Sequence, residues 1–462
     1  MDQSLVFDLD LIRRYDKSGP RYTSYPTAVQ FHDGFGETQF RSRAERTNDV
    51  TPKPPLSLYF HLPFCDTVCF YCACNKVVTK DRSLASPYLQ RLHREIALQG
   101  ALFDNDRSVD QLHWGGGTPT FISHEQMREL MRVTGEHFRL RGDDSGEYSV
   151  EVDPREADRT TIALLRETGF NRLSLGVQDF DPQVQKAVNR IQSEDETWAV
   201  LSAAREEGFK SVSLDLIYGL PHQNLARWST TLDKVIEHRP DRLSVFNYAH
   251  LPDLFKPQRR INADELPTPA EKLDILQLTG ERLARAGYVY IGMDHFARPD
   301  DELAVAQREG TLYRNFQGYS THTDCDLIGM GATAISQVGD CYAQNVRDLE
   351  GYYACLDADR LPVFRGLELS ADDKLRRAVI TELICHFHLD FAAVGTRYGI
   401  SFGDYFSAEI EDCRALEKDG LIALSDSGIE VQPAGKLLIR NVCMVFDRYL
   451  REGQERRFSK VI

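Results

Sequence analysis

Residues 57–74 read SLYFHLPFCDTVCFYCAC. Ser57–Pro63 has the apolar, aromatic-rich composition of a buried strand. Directly beyond it, Cys65, Cys69, Cys72 and Cys74 fall within ten residues. A strand that delivers a ligand-rich loop at its carboxyl end suits an α/β protein whose chemistry collects there. The chain onward keeps this layout. Further strand-like segments are Gln111–Trp114, Tyr148–Asp153, Arg172–Val177, Ser211–Tyr218, Arg242–Tyr248 and Tyr288–Gly292. Amphipathic helical patterns separate them at 86–103, 125–138, 159–169 and 270–287. In the last, Leu273, Ile275, Leu276, Leu278, Leu283 and Ala284 form one apolar stripe, and Pro269 suits a first helical turn. Strands alternating with helices predict βαβ units and a parallel sheet, and six or more in series predict a barrel or partial barrel.

The 462 residues weigh 52.6 kDa, with 42% hydrophobic and 27% charged. These ordinary globular values exclude a disordered chain, a fibre and a membrane channel. No stretch approaches 18 consecutive apolar residues, and the first 17 are too polar and acidic for a signal peptide, so a cytoplasmic address is expected. Net charge is −15, from 70 acids against 55 bases, which argues against a phosphate-tracking nucleic-acid binder. A local basic patch does exist: Arg13, Arg14, Lys17 and Arg21 against Asp16. It reads either as an anion site or as a solvated arm. TPKPPLS at 51–57 reads as a linker into the first strand. Past Ser370 the pattern becomes helix, short strand, turn, short strand, helix, a winged-helix-like outline. The charge balance favours an accessory domain at one end of the barrel over DNA binding.

Six of the ten cysteines are scattered singly and are expected to be small buried hydrophobes. The other four form the cluster. Thiolates spaced four and three residues apart can wrap one compact metal centre. A structural zinc site wants a fourth ligand, commonly from a second CxxC pair, which this chain lacks, although Cys74 or His61 could fill the place. The bacterial ferredoxin spacing also fails. The C-x3-C-x2-C spacing resembles the signature of radical S-adenosylmethionine enzymes. That resemblance implies Cys65, Cys69 and Cys72 on three irons of a [4Fe–4S] cluster. The open iron then chelates S-adenosylmethionine, and one electron releases a 5′-deoxyadenosyl radical.

Other segments carry weaker signals. HWGGGTPT at 113–120 follows the second strand, and its glycines allow close backbone approach to a ligand or an ordinary turn. In Ser149–Pro154, Val150 and Val152 share one face and Glu151 and Asp153 the other. Glu151, and Asp215 within an otherwise apolar strand, need a ligand or cation if they face a barrel lumen. Gln178 and Arg190 follow the next strand and could complete a nucleoside and carboxylate site. By spacing alone, Tyr59 is a core residue.

The stretches SGPRYTSYPTA, YFHLPFCDTVCFYCACN, QLHWGGGTPT, SVEVDPRE, RLSLGVQDF, DLIYGLP, RLSVFNYAHLP, GMDHFARPDDELAVAQREG, RNFQGY and GMGATAIS resemble the oxygen-independent coproporphyrinogen III oxidase family. The resemblance runs from about residue 5 to about residue 450. It implies a partial (β/α)6 radical-SAM barrel over 55–365, an N-terminal arm over 1–54 that covers the active site, and a mostly helical, winged-helix-like domain over 366–462. The implied activity is oxidative decarboxylation of two propionates of coproporphyrinogen III to vinyl groups. The product is protoporphyrinogen IX, in haem synthesis. An electron donor, an unidentified electron acceptor and a monomeric state come with it; no nucleic acid or membrane is implied. Tyr59, Tyr71, Gly116, Gly117, Thr118, Glu151, Gln178, Arg190, Asp215, Ala249 and Ile335 match contacts to S-adenosylmethionine. The family binds two such molecules, and Gln317 matches a contact to the second. Tyr71 stands where phenylalanine is common in the family. Cys74 matches an extra cysteine that does not ligate the cluster; with Tyr59 and Gln317 it is expected in the catalytic machinery. Arg21 and Tyr22 are expected to hold substrate. The alternative is a haem-binding chaperone on the same scaffold, whose members usually lack the cysteine at 74 and the RYTSYPTA arm.

Overall fold

A computed structural model describes residues 5–323 and 325–453. Six parallel strands form the central array: β1 (Leu56–Leu62), β2 (Ser108–Gly116), β3 (Glu147–Val152), β4 (Arg172–Gln178), β5 (Ser211–Tyr218) and β6 (Arg242–Asn247). Their order along the sheet is their order in the chain. Helices return each strand to the next, among them α1 (Ala85–Gly100), α2 (His124–His137), α3 (Arg159–Glu167), α4 (Glu194–Glu206) and α5 (Leu225–His238). Strand β1 is buried along nearly its whole length, as a central parallel strand covered on both faces must be. Helix α6 (Pro269–Arg285) starts at Pro269, behind a capping box in which Thr268 and Glu271 satisfy each other's backbone N–H groups.

The sheet continues at both ends. β7 (Val289–Gly292) does not extend the parallel series. It turns through Met293 and Asp294 into β8 (His295–Ala297), and β8 pairs antiparallel with β6. Gly292 (φ 139°) and Met293 (φ 54°) take the positive angles that a tight hairpin demands. On the other side, β9 (Asp326–Met330) lies parallel to β1, and β10 (Ile335–Val338), β11 (Cys341–Asn345) and β12 (Val363–Glu368) follow antiparallel. Among the described residues no ladder joins β7 to β12, so the barrel is partial.

The last part of the chain packs a three-stranded sheet, β13 (His388–Asp390), β14 (Ile422–Leu424) and β15 (Gly428–Val431), against helices that include Ala371–His386 and Ser407–Lys418. This matches the winged-helix-like outline. The N-terminal arm is fastened to it. Arg14 and Tyr15 each hydrogen-bond Asp419 at 2.7 Å, and Arg440 donates to the carbonyl of Pro20. Of the six scattered cysteines, Cys341, Cys385, Cys413 and Cys443 are buried, and Cys325 and Cys355 are partly so. No helix among the described residues is long and apolar enough to cross a membrane.

Candidate active site

The cysteine loop leaves the carboxyl end of β1 and is closed at its base by backbone. Val77 N donates to the Pro63 carbonyl at 2.7 Å and Thr79 N to that of Cys65 at 2.9 Å. Within the loop, Phe70 N donates to the Val188 carbonyl, Asn189 to that of Val68 and Gln258 to that of Tyr71. Lys76 reaches the Cys72 carbonyl at 3.2 Å. The glycine run at the end of β2 lies directly against this loop. Gly117 N donates to the Leu62 carbonyl and Thr118 N to that of Phe64, both at 2.8 Å. A Cβ on Gly117 would stand 2.7 Å from backbone atoms of Pro63 and Phe64, so only glycine fits.

Loop and glycines wall a cleft with about 840 Å³ of open space. Cys65, Cys69, Cys72 and Cys74 line it with Tyr71, Gly116, Gly117, Thr118, Glu151, Gln178, Arg190 and Asp215. Twelve side chains or backbones that sequence reading singled out, drawn from five strand ends, thus meet in one place. Thr118 Oγ1 lies 3.5 Å from Cys65 Sγ, and the Arg190 guanidinium lies 3.6 Å from Cys69 Sγ. Arg190 also pairs with Asp153 at 2.9 Å. Gln178 is carried into the cleft by a bulge in β4, at φ 68°. Glu151 keeps 45% of its side chain open and accepts from Gly116 N at 3.2 Å. Burial pushes its pKa up, but His113 and that N–H outweigh it and hold the carboxyl below the usual range. Asp215, hydrogen-bonded by Ser174 at 3.0 Å, is pushed up to about 6 by burial.

The donor set fits an iron–sulfur cluster with a small polar ligand beside it. No three His, Cys, Asp or Glu side chains among the described residues converge on a point, as a single zinc ion requires. A hydrogen bond from Cys74, with Lys76 nearby, holds the Cys72 thiol below its usual range. Burial pushes Cys65 to about 11, so metal ligation itself must displace that proton. Arg190 Nε is buried without a protein partner, which leaves a donor for a bound group.

Two further spaces adjoin the cleft. One, about 2460 Å³ counting its open mouth, is lined by Ala73 of the cysteine loop, Ala249, Arg13, Arg21 and Lys272, with Asp16 and Asp294 among them. Arg21 is held by Asp294 at 3.1 Å. The other, of about 960 Å³, fills the barrel lumen, shares Glu151, Ser174 and Asp215 with the cleft, and contains Gln317. Gln317 Nε2 is buried without a partner there.

Three expected site residues stand back from these spaces. Tyr59 lies deeper in β1, its hydroxyl 3.1 Å from His61 and its ring stacked on His113. Ile335 packs behind Gly329, the β9 neighbour of Tyr59. Tyr22 turns away from substrate space: it is buried, and its hydroxyl donates to Asp447 at 2.9 Å. Sequence reading passed over Arg155, which binds Asp153 at 2.6 Å and approaches Cys69 Sγ at 4.0 Å. It also passed over Lys76 and Lys272. A cation just past a strand end or just past the cysteine loop was the available signal for the first two.

Comparison with known proteins agrees with this geometry. Residues 59–235 match the radical SAM superfamily model and residues 369–438 the HemN C-terminal domain model. An oxygen-independent coproporphyrinogen III oxidase from Pseudomonas aeruginosa is 56% identical over 462 residues, covering 100% of both chains. That of Escherichia coli (strain K12) is 51% identical, covering 100% of this chain and 99% of its own. The solved structure of coproporphyrinogen III oxidase (HemN) from Escherichia coli, described as a radical SAM enzyme, superposes with a TM-score of 0.92 at 50% identity. It covers 96% of this chain and 100% of that one. With identity and fold shared from end to end, and the cysteine loop, glycine run and carboxylates gathered as radical chemistry requires, the chain belongs to the oxygen-independent coproporphyrinogen III oxidase family of the radical SAM superfamily.

Proposed function

We propose that the chain converts two propionate side chains of coproporphyrinogen III to vinyl groups without oxygen, giving protoporphyrinogen IX, as a monomer in the cytoplasm. Each conversion removes one β-hydrogen atom, one carbon dioxide and one electron from a propionate carboxylate. When bound, a [4Fe–4S] cluster on Cys65, Cys69 and Cys72 and S-adenosylmethionine supply the radical that takes the hydrogen. The protein's own residues bind, orient and exclude water. Arg190 and Arg155 offset negative charge at Cys69. Glu151 and Asp215 offer acceptors to ammonium and ribose hydroxyl groups, while Gly116, Gly117 and Thr118 offer close backbone. Tyr71 and Gln178 enclose the ligand, with Tyr59 and Ile335 supporting the wall behind it. The lumen holding Gln317 gives room for a second S-adenosylmethionine, while Ala249 lines the larger cavity beyond the cysteine loop.

One observation carries the substrate reading. The cysteine loop is a shared wall between the small cleft and the 2460 Å³ cavity, so a large substrate lies one residue, Ala73, from the radical source. Arg13, Arg21 and Lys272 on that cavity suit a tetracarboxylate. Cys74, next to Ala73 in the loop, lines the cleft and serves turnover without ligating the cluster. The arm over 1–54 covers the cavity on the barrel of 55–365. Tyr22 locks it to Asp447 of the domain over 366–462. The test is an anaerobic assay of reconstituted protein with coproporphyrinogen III, S-adenosylmethionine and a reductant, read by chromatography. Protoporphyrinogen formed together with 5′-deoxyadenosine is expected. An intact cluster with tightly bound haem and no product would overturn the reading in favour of a chaperone.

A further inference from the structure

Gln178 reaches the cleft from a strained turn. Its φ is 68°, in the left-handed region that favours glycine, and Asp179 N donates to the Val177 carbonyl at 2.9 Å. A hydrogen bond that closes three residues around a positive φ is the rarer form of γ-turn, and it is costly for any residue with a Cβ. Glycine would take this conformation freely, so the glutamine is kept there for its side chain. That side chain lies beside Gly176 and Arg190. A Cβ added to Gly176 would stand 3.1 Å from Gln178 Nε2 and 3.0 Å from Arg190 Nη2. All three residues line the cleft.

The next residue supplies what holds the turn. Asp179 is 1% exposed, and neutral donors meet its carboxylate. Thr231 Oγ1 at 2.6 Å and Asp181 N at 2.9 Å reach one oxygen, and Gln223 Nε2 at 2.5 Å reaches the other. The Asp179 carbonyl accepts from Gln185 Nε2 at 3.0 Å. Thr231 lies on α5, Gln223 just beyond β5 and Gln185 in the short helix Pro182–Ala187. These donors are buried and are themselves fixed. Gln223 Nε2 also donates to the Ile217 carbonyl and its Oε1 accepts from Leu220 N, while Gln185 Nε2 also donates to the Gln192 carbonyl. A buried carboxyl is costly even when hydrogen-bonded, and burial pushes the Asp179 pKa up. Well-packed apolar groups would fill such a space without that cost. What the carboxylate adds is a rigid link between the strained turn, α5 and the end of β5.

We propose that Asp179 is a positioning residue for S-adenosylmethionine: its carboxylate ties down the 177–179 turn and so keeps the Gln178 amide aimed into the cleft. Asp179 stands behind the cleft wall and acts through Gln178. With the link weakened, Gln178 relaxes toward negative φ and its amide swings off the ligand. The inference rests on the reading above that Gln178 encloses S-adenosylmethionine, and the test separates the two.

The test is a double-substitution cycle on the cluster-loaded protein, with S-adenosylmethionine affinity measured by calorimetry. In Asp179→Asn the new Nδ2 group faces a donor, Gln223 or Thr231, and one link is lost. This variant is expected to bind about tenfold more weakly, and Gln178→Gly by a similar factor. In the Gln178→Gly background, Asp179→Asn is expected to change affinity less than about twofold, because no side chain is left to aim. Iron content stays as in the parent, and backbone hydrogen exchange over 177–181 is faster in Asp179→Asn. If Asp179→Asn does not hold its cluster, Thr231→Val removes the donor at 2.6 Å from outside the cleft and runs the same cycle, with a loss of about threefold expected in the parent background alone. An equal loss in both backgrounds would mean a general effect on the fold and would overturn the proposal while leaving Gln178 at the ligand. Parent affinity or parent exchange in Asp179→Asn would also overturn it. Gln178→Gly binding as tightly as the parent would instead overturn the placing of Gln178 at the ligand, and the proposal with it.

Discussion

Asp215 offers a case in which removing a site residue should make the protein more stable. Its carboxyl sits in the cleft on β5, with Ser174 as its close donor at 3.0 Å, and burial raises it from 3.8 to about 6. For an acid, a raised pKa in the folded state means the ionised form is penalised by folding. The penalty is absent below the unfolded value of 3.8, grows between there and about 6, and is fully present above. The gap, at 1.36 kcal/mol for each pH unit, amounts to about 3 kcal/mol at pH 7.5 and roughly half that at pH 5. Asp215→Asn keeps the acceptor for Ser174 and cannot ionise. It is therefore expected to raise unfolding free energy by about 3 kcal/mol at pH 7.5, with the gain shrinking steadily as pH falls toward 4. Guanidinium unfolding of the iron-free chain at several pH values measures this. The same substitution is expected to weaken S-adenosylmethionine binding about 10- to 100-fold, the loss of one charge-assisted hydrogen bond. A stability gain that does not shrink in acid, or no gain at all, would refute the electrostatic reasoning, whatever happens to ligand affinity.

Cys65→Ser, Cys69→Ser and Cys72→Ser should each yield protein without a stable cluster by iron and sulfide assay. Cys74→Ser should keep its iron and lose turnover. Gly117→Ala drives a methyl into backbone of Pro63 and Phe64, which cannot yield as a flexible side chain would. We expect a cost of about 1–3 kcal/mol in stability and about tenfold weaker S-adenosylmethionine binding by calorimetry. Arg107 and Asp326 form a buried pair at 2.5 Å that joins the start of β2 to β9. Arg107→Ala should cost about 3–5 kcal/mol in a denaturant titration, and a joint Arg107→Met, Asp326→Leu change should recover most of it.

The parallel half of the barrel was legible because its strands carry runs of buried apolar residues, alternating with half-buried polar ones, and helices with clear stripes separate them. Ser211–Tyr218 has the same bounds in sequence and structure. The sequence misplaces Val289–Gly292 as a continuation of that series, because GMDH carries none of the Asn-Gly chemistry that marks a hairpin and Met293 takes the positive φ instead. Strands β9 to β12 escaped notice for a related reason: they are short and broken by glycines at 329, 331 and 366, each pressed against backbone or a ring. In the candidate site, the residues proposed at strand ends share one cleft because parallel topology brings such ends to one rim. Tyr22 was misjudged because its burial depends on Asp447, 425 residues away, and no local pattern encodes such a partner.

The charge distribution ties these features together. A chain with 15 excess negative charges should repel a tetracarboxylate at long range. At physiological salt that repulsion fades within about 8 Å, so what a substrate meets on arrival is set by local groups. Arg21 shows how the fold secures such a group. Asp294, in the β7–β8 turn, pairs with it from one side, and Arg440 fixes the preceding Pro20 carbonyl from the other domain. Tyr22 beside it is pinned to Asp447. An arginine so fixed loses little side-chain entropy when a propionate arrives, and the partial exposure of Arg21, 38%, leaves its guanidinium open to the cavity. The arm is thus a buttressed wall of the cavity we propose for the substrate, with Arg21 lining it and Tyr22 turned to Asp447.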